Sequence, residues 1–177
     1  MMDIIITIGV FYVWLFNFDN SMYDEHVVHF VYDDIVNELV RKFEECDGLV
    51  IGSPVYYSSA NGTLISLLDR LFYSGGRKMV GKVGAAVVSC RRGGASASLD
   101  RLNKYFTIAQ MPVVSSKYWN MVHGNTPEQV KQDLEGMQVM RYLGRNMAWM
   151  LKCREESGIE PFEREVRVKT SFYKPEA

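Results

Sequence analysis

The chain has 177 residues, of which 47% are hydrophobic and 23% are charged, and its formal net charge at pH 7 is −1. This length suits one well-buried core and is too short for two comfortable ones. Lysine and arginine are scattered and balanced by carboxylates, so the composition gives no support to a nucleic-acid-binding surface.

The cysteine pattern bounds the redox compartment. Cys46, Cys90 and Cys153 are widely spaced and odd in number. They form neither a metal-ligand pattern nor a disulfide framework, so we expect no metal site and a reducing, cytoplasmic location.

The N-terminal segment is unusually apolar. Residues 4–18 read IIITIGVFYVWLFNF, which is shorter than the roughly 20 residues that a membrane helix needs. Asp3 stands where a signal peptide would carry positive charge. The dominance of Ile, Val, Phe and Tyr predicts one or two buried strands and no membrane association. A membrane-embedded or cleaved segment is the alternative.

A helix and a buried strand follow. Asp33 and Asp34 can cap a helix that extends through Glu45. Residues 49–51 form a short apolar run rich in β-branched residues, typical of a strand buried on both faces of a parallel sheet. We expect the strand to end at Gly52-Ser53-Pro54.

Two further segments alternate strand and helix. Asn61 can cap a helix over residues 63–72, whose leucines recur at three- and four-residue spacing. A second buried strand, residues 83–89, then enters a glycine-rich loop at residues 90–94. In an open α/β sheet, ligands bind just beyond the carboxyl ends of such strands.

The end of the chain predicts one more strand and a long helix. Val113 and Val114 start the strand. Thr126-Pro127 with Gln129 marks a helix start, and the helix is expected to continue to about Cys153.

Three of these segments together resemble the NADPH-dependent FMN reductase family, of flavodoxin-like fold. They are SPVYYSSANGTLISLLDRLFYSG from Ser53, VGAAVVSCRRGG from Val83, and QMPVVSS from Gln110 with the aromatic residues that follow it. The likeness covers about residues 31–153. It implies an α/β, three-layer sandwich with a parallel sheet, organised as an N-terminal segment (1–30), a flavodoxin-like FMN-binding domain (31–157) and a C-terminal tail (158–177).

The resemblance also implies a chemistry. An enzyme of this kind transfers hydride from NADPH or NADH through bound FMN to a small acceptor such as a quinone or a flavin, and it works as a homodimer or tetramer. Because the cofactor carries the hard step, we assign no catalytic side chain. The residues expected to contact FMN are Ser53, Pro54, Val55, Tyr56, Tyr57, Cys90, Arg91, Arg92, Gly93 and Gly94.

Several of these residues have a second interpretation. Tyr57 is equally consistent with a core or interface ring. Arg91 and Arg92 either meet negative charge on reduced flavin or on the nicotinamide cofactor, or form a solvated basic turn. Cys90 is better read as a packed residue than as a nucleophile, since no base lies near it in sequence.

A substrate pocket is expected after the last strand, formed by Trp119, Asn120 and His123. His123 has no carboxylate partner nearby in the sequence, so a structural role is favoured over proton transfer.

One expected part is missing from the sequence. In the family, the first strand ends in a Gly-Ser-Pro-Arg type loop that opens a helix holding the FMN phosphate. After Gly9 this chain continues Val-Phe-Tyr-Val-Trp, without a series of hydroxyls. We therefore expect the first βαβ unit to be missing or replaced, and residues 4–16 to fill the position that it would leave open beside the strand at residues 48–53.

Two other functions stay open. One is an electron carrier that holds flavin and reduces no small molecule. The other is a truncated, non-catalytic relative that binds no cofactor, for which the missing phosphate loop is the evidence.

Overall fold

The structure is a computed structural model that describes residues 4–8, 34–159, 165–166, 168 and 170. Its elements in chain order are β1 (Ile4–Ile8), α1 (Ile35–Glu45), β2 (Gly48–Tyr56), β3 (Ser59–Ala60), α2 (Gly62–Gly75), a 3₁₀ turn (Gly76–Met79), β4 (Val83–Cys90), α3 (Ala95–Ile108), β5 (Met121–His123), α4 (Pro127–Gln132) and α5 (Leu134–Ser157). β1, β2, β4 and β5 form a parallel sheet in that order, and β3 pairs antiparallel with the end of β2.

Helices cover both faces of the sheet, as expected for a three-layer α/β sandwich. Successive side chains of β4 point to opposite faces. Ala86 and Val88 pack into the cluster formed with α1, α2 and α3, whereas Val83 and Ala85 pack against α5. Both faces of this strand are therefore buried, which explains its nearly continuous apolar sequence.

The predicted helix starts are confirmed where a side chain makes the cap. Asp34 accepts a hydrogen bond from the Val36 amide (3.1 Å), and Asn61 accepts one from the Leu64 amide (3.1 Å). Each bond satisfies an amide that has no partner inside the helix.

β1 occupies the place that the sequence left uncertain. It pairs in parallel with β2, from Ile4 opposite Gly48 to Ile8 opposite Gly52. The expectation that the apolar N-terminal run fills the position beside β2 is therefore confirmed for Ile4–Ile8. Residues 9–33, where the phosphate-binding loop and the remainder of the first βαβ unit were sought, lie outside the described residues. So does nearly all of the predicted tail.

β2 is longer than predicted. We expected Gly52-Ser53-Pro54 to end it, but the strand continues to Tyr56, with Ser53 opposite Val88 and Pro54 opposite Ser89. The pairing of β2 with β1 stops at Gly52. Pro54 thus lies where the parallel ladder has a neighbour on one side only among the described strands, a position that tolerates the missing amide hydrogen.

The last strand is interrupted. Val113 forms a parallel bridge to Gly84, as predicted, but regular pairing resumes only at Met121, opposite Val88. Met121 is eight positions after Val113, whereas their partners Gly84 and Val88 are four positions apart, so the chain makes a detour between the two pairings. The expectation that Trp119, Asn120 and His123 follow the strand is therefore wrong. Trp119 and Asn120 lie in the unpaired segment between Val113 and β5, and His123 is the last residue of β5.

The long helix predicted from Thr126 is two helices. Thr126 caps α4 and Pro127 is its first residue, as predicted. The chain then leaves helical geometry at Asp133 (φ −73°, ψ 78°), whose side chain caps α5 through the Gly136 amide (2.9 Å). A side chain that bonds a nearby amide competes with helix continuation, which explains the break.

No helix in the described part of the chain combines the length and apolar character that spanning a membrane demands.

Candidate functional site

Three loops meet at one edge of the sheet. β2, β4 and β5 are parallel, so their carboxyl ends share that edge. Cys90 lies opposite His123, and the Gly124 amide donates to the Cys90 carbonyl at 3.0 Å. The segments after β2, β4 and β5 are therefore neighbours, which is the arrangement that builds ligand sites in open α/β sheets.

The first loop is a tight hairpin between β2 and β3. Tyr56 pairs with Ser59, so only Tyr57 and Ser58 turn the chain. Both have positive φ, 50° and 60°, which is the requirement of a type I′ turn. Such backbone costs a non-glycine residue on the order of 1–3 kcal/mol. The turn leaves Tyr57 fully exposed, so the alternative that it is a core ring is wrong.

The glycine-rich loop touches this hairpin. Gly94 has φ +91°, and a Cβ there would lie 2.8 Å from the Ser58 Cα and 3.1 Å from the Val55 Cγ1. A Cβ at Gly93, in contrast, would meet nothing within 4 Å. Gly94 therefore permits close approach of two backbones, and Gly93 borders open space. We call residues 54–58 and 91–94 the backbone platform.

The side chains of the glycine-rich loop separate into exposed and buried groups. Arg91 and Arg92 are exposed, and neither forms an ion pair within the described residues. Cys90 is buried and its Sγ donates to the Arg92 carbonyl (3.6 Å). Burial raises the pKa of the Cys90 thiol, with Asp133 adding to the effect. The thiol form is inert, in line with a packed residue.

Ser53 serves the loop itself. Its buried hydroxyl donates to the Pro54 carbonyl (2.8 Å) and accepts from the Asn61 amide (2.9 Å). It thereby ties the end of β2 to the start of α2. What this loop presents to a ligand is the half-buried residues Pro54 and Val55 and the exposed rings of Tyr56 and Tyr57.

A half-open cleft of about 240 Å³ lies between the segment that includes β5 and the start of α5. We call it the His123 cleft. It is lined by Tyr118, Met121, His123, Asp133, Glu135, Gly136 and Val139.

The three residues predicted for a substrate pocket divide here. Only His123 lines the cleft. Trp119 is exposed and packs its ring 5.1 Å from that of Tyr118. Asn120 is buried: its carbonyl accepts the Val88 amide (3.0 Å), while its Oδ1 has no hydrogen-bond partner among the described residues.

His123 does have a carboxylate partner, contrary to the expectation from sequence. Asp133 Oδ2 accepts the His123 amide at 2.7 Å and lies 3.5 Å from His123 Nδ1. Burial alone would raise the pKa of Asp133, but the Gly136 and His123 amides outweigh it and hold that pKa below its ordinary value. Ten residues separate the pair in sequence; recognising Asp133 as a helix cap was the signal that could have found it.

Comparisons with known proteins agree with this architecture. The family model described as NADPH-dependent FMN reductase matches residues 7–126. An iron–sulfur flavoprotein of Methanocaldococcus jannaschii is 32% identical over 127 residues, which cover 67% of this chain and 66% of that one. An iron–sulfur flavoprotein of Methanosarcina thermophila is 28% identical over 131 residues, 72% of this chain and 68% of the relative. The chain thus spans about two thirds of the length of these relatives, slightly less for the first.

A solved structure extends the likeness at the level of the fold. RosB with a bound 8-demethyl-8-formylriboflavin-5′-phosphate intermediate superposes with a TM-score of 0.60 at 13% identity, over 89% of this chain and 75% of that one. The family match covers well over half of the chain, in the order of strands and loops described above. This chain belongs to the NADPH-dependent FMN reductase family and has a flavodoxin-like α/β fold.

Proposed function

We propose that the chain binds FMN on the backbone platform and transfers electrons from NADPH or NADH to a small acceptor such as a quinone or a free flavin. The observation that carries the proposal is the contact between Gly94 and the hairpin at Ser58, with open space above Gly93. Two loops that approach each other closely, with two glycines at the point of approach, suit a flat conjugated ring.

The residues of the platform fit the ring of FMN. Backbone groups at Pro54 and Val55 can hydrogen-bond its polar edge, and the Tyr57 ring is free to lie against it. Arg91 and Arg92 offer positive charge at the same edge. Bound FMN would supply the two-electron chemistry, so the chain needs to position, shield and neutralise charge rather than supply a nucleophile.

The iron–sulfur centre in the names of the relatives does not suit the cysteines of this chain. Clusters are held by four thiolates, and this chain has three cysteines. Cys46 lies just before the amino end of β2, whereas Cys90 ends the eight-residue β4 at the opposite edge of the sheet, roughly 20 Å away at 3.3 Å per residue. We therefore propose that, within this chain, the flavin is the redox group.

The test begins with the visible absorption spectrum of the full chain titrated with FMN. Shifted flavin bands with saturable binding are expected, followed by bleaching when NADPH or NADH is added without oxygen and recovery when a quinone is added. Flavin that binds but is not bleached by either nucleotide would favour the electron carrier. An unchanged FMN spectrum would overturn the proposal and leave the non-catalytic relative.

Riboflavin in the same titration tests the contribution of the phosphate. Residues 10–14 offer no hydroxyl series to a phosphate. We expect riboflavin to bind within about tenfold of FMN, a difference of about 1.4 kcal/mol or less. A preference for FMN of a thousandfold would show that another segment holds the phosphate firmly.

A further inference from the structure

The His123 cleft is a small, half-open depression with a mixed polar and apolar lining. Its volume of about 240 Å³ lies below the roughly 300–1,000 Å³ typical of sites for drug-sized ligands. A molecule of one or two rings fits this volume, and a dinucleotide does not. Tyr118, Met121 and Val139 supply aromatic and aliphatic surface, and His123 supplies a polar group.

The imidazole of His123 is oriented with Nδ1 toward the Asp133 carboxylate. Asp133 is itself fixed by the Gly136 amide (2.9 Å) and the His123 amide (2.7 Å), and its Oδ2 lies 3.5 Å from Nδ1. This arrangement leaves Nε2 as the atom available to a ligand, since it has no partner in the described part of the chain. An imidazole nitrogen can donate to a carbonyl oxygen when protonated and accept from a hydroxyl when neutral.

The charges at the cleft select among ligands. Asp133 and Glu135 both line it. Hydrogen bonds from two amides lower the pKa of Asp133, so this carboxylate is ionised at neutral pH. Two carboxylates at one small cleft repel phosphates and carboxylates. The cleft therefore suits a neutral molecule and disfavours the diphosphate of a nicotinamide cofactor.

The position of the cleft links it to the platform. His123 lies opposite Cys90 in the sheet, one residue before the basic loop that starts at Arg91. We propose that the His123 cleft binds a neutral aromatic carbonyl compound of one or two rings, of the quinone class. In the complex His123 is an imidazolium whose Nδ1–H faces Asp133 and whose Nε2–H donates to the carbonyl oxygen of the ligand. Its role as electron acceptor rests on the proposed function, whereas its binding requires no flavin.

The experiment measures binding at a methyl group that lines the cleft. The full chain is labelled with ¹³C at methionine methyls, and the Met121 signal is assigned from Met121→Leu. One probe is 2,3-dimethyl-1,4-naphthoquinone, which is neutral and has no free ring position for thiols. The matched probe is 2-hydroxy-3-methyl-1,4-naphthoquinone, which has nearly the same size and is anionic at neutral pH.

We expect the neutral probe to shift the Met121 signal saturably and the anionic probe to bind at least about tenfold more weakly. His123→Phe should weaken the neutral probe by about five- to tenfold, the loss of one hydrogen bond. Glu135→Gln should reduce the difference in affinity between the neutral and the anionic probe. Glu156→Gln removes an exposed carboxylate near the other end of α5 and should leave it unchanged.

Three results would overturn the inference: no shift at Met121, equal or tighter binding of the anionic probe, or unchanged affinity in a folded His123→Phe variant. None of these depends on FMN. A chain that binds the neutral probe as expected but leaves the FMN spectrum unchanged would defeat the proposed function and keep the cleft. A chain that binds FMN but shows no shift of the Met121 signal with the neutral probe would defeat the proposed cleft and leave the proposed function standing.

Discussion

Gly93 and Gly94 are neighbours with different physical roles. Gly94 is required by backbone geometry, because its φ of +91° and its contact with Ser58 leave no room for a side chain. Gly93 has neither constraint. A substitution at Gly93 therefore tests the space above the platform without disturbing the fold.

We expect Gly93→Ala to lower FMN affinity by at least about tenfold, because a methyl group would enter the space proposed for the ring, at no cost in thermal stability. Gly144→Ala is the matched control: it adds the same methyl at another position with nothing within 4 Å, on the exposed face of α5. Fluorescence quenching of FMN on titration measures the affinity. Equal FMN affinity in the two variants would show that the flavin ring does not lie against Gly93.

Asp133 joins three features of the structure. It ends α4, caps α5 and fixes His123. Its pKa is lowered in the folded state, so its contribution to stability is present above the pKa of the unfolded chain, about 4, and is lost as the pH falls through the folded value.

We expect Asp133→Asn to be less stable than the parent at pH 7 and the difference to shrink toward pH 3. Asparagine still caps a helix, so the variant should fold. Urea denaturation across this pH range gives the free energy of unfolding, with Glu156→Gln as the control for loss of one charge from α5. A difference independent of pH would mean that the carboxylate charge contributes nothing.

Among the secondary-structure elements, the hairpin between β2 and β3 carries the clearest strain. Tyr57 and Ser58 occupy the two positions that asparagine and glycine fill best in a type I′ turn. Backbone strain at a candidate site is consistent with a turn whose conformation serves ligand binding rather than stability.

We expect Ser58→Gly to stabilise the chain by about 1 kcal/mol, because glycine adopts positive φ without strain, which raises the melting temperature by about 2–4 °C. Ser58→Ala keeps the β-carbon and removes only the hydroxyl, so it should bring no gain. Calorimetry compares the two. A gain shared by both variants would assign the effect to the hydroxyl instead.

At the level of the complete sheet, β1 decides how β2 is protected. It covers β2 from Gly48 to Gly52, and β2 and β4 form the centre of the core. An uncovered apolar strand is a template for pairing with another chain.

Removal of residues 1–8 is expected to lower the free energy of unfolding and to produce concentration-dependent association through the uncovered edge. Removal of residues 1–3, which precede β1, is the control. Light scattering on a sizing column, together with urea denaturation, measures both effects. A chain without residues 1–8 that keeps the parent's mass and stability would show that β1 contributes little.

Local patterns in the sequence predicted most of the helices, the buried strands and the glycine-rich loop at Gly93, but neither the end of β2 nor the break between α4 and α5. A leucine stripe, an Asp or Asn cap, or a β-branched run acts within a few residues, so the sequence displays it directly. The motifs also predicted the family, which the match over residues 7–126 confirmed.

Pairing across the sheet decided the rest. β2 can continue through Pro54 because β1 stops pairing with it at Gly52, so the missing amide hydrogen of Pro54 breaks no bond to β1. The break at Asp133 depends on the bond that its side chain accepts from the Gly136 amide. The partner of His123 comes from the start of another helix, ten residues away. Apart from the local cap at Asp133, these features arise from contacts between separate elements, so sequence periodicity predicted most of the elements, and only their packing revealed the His123 cleft.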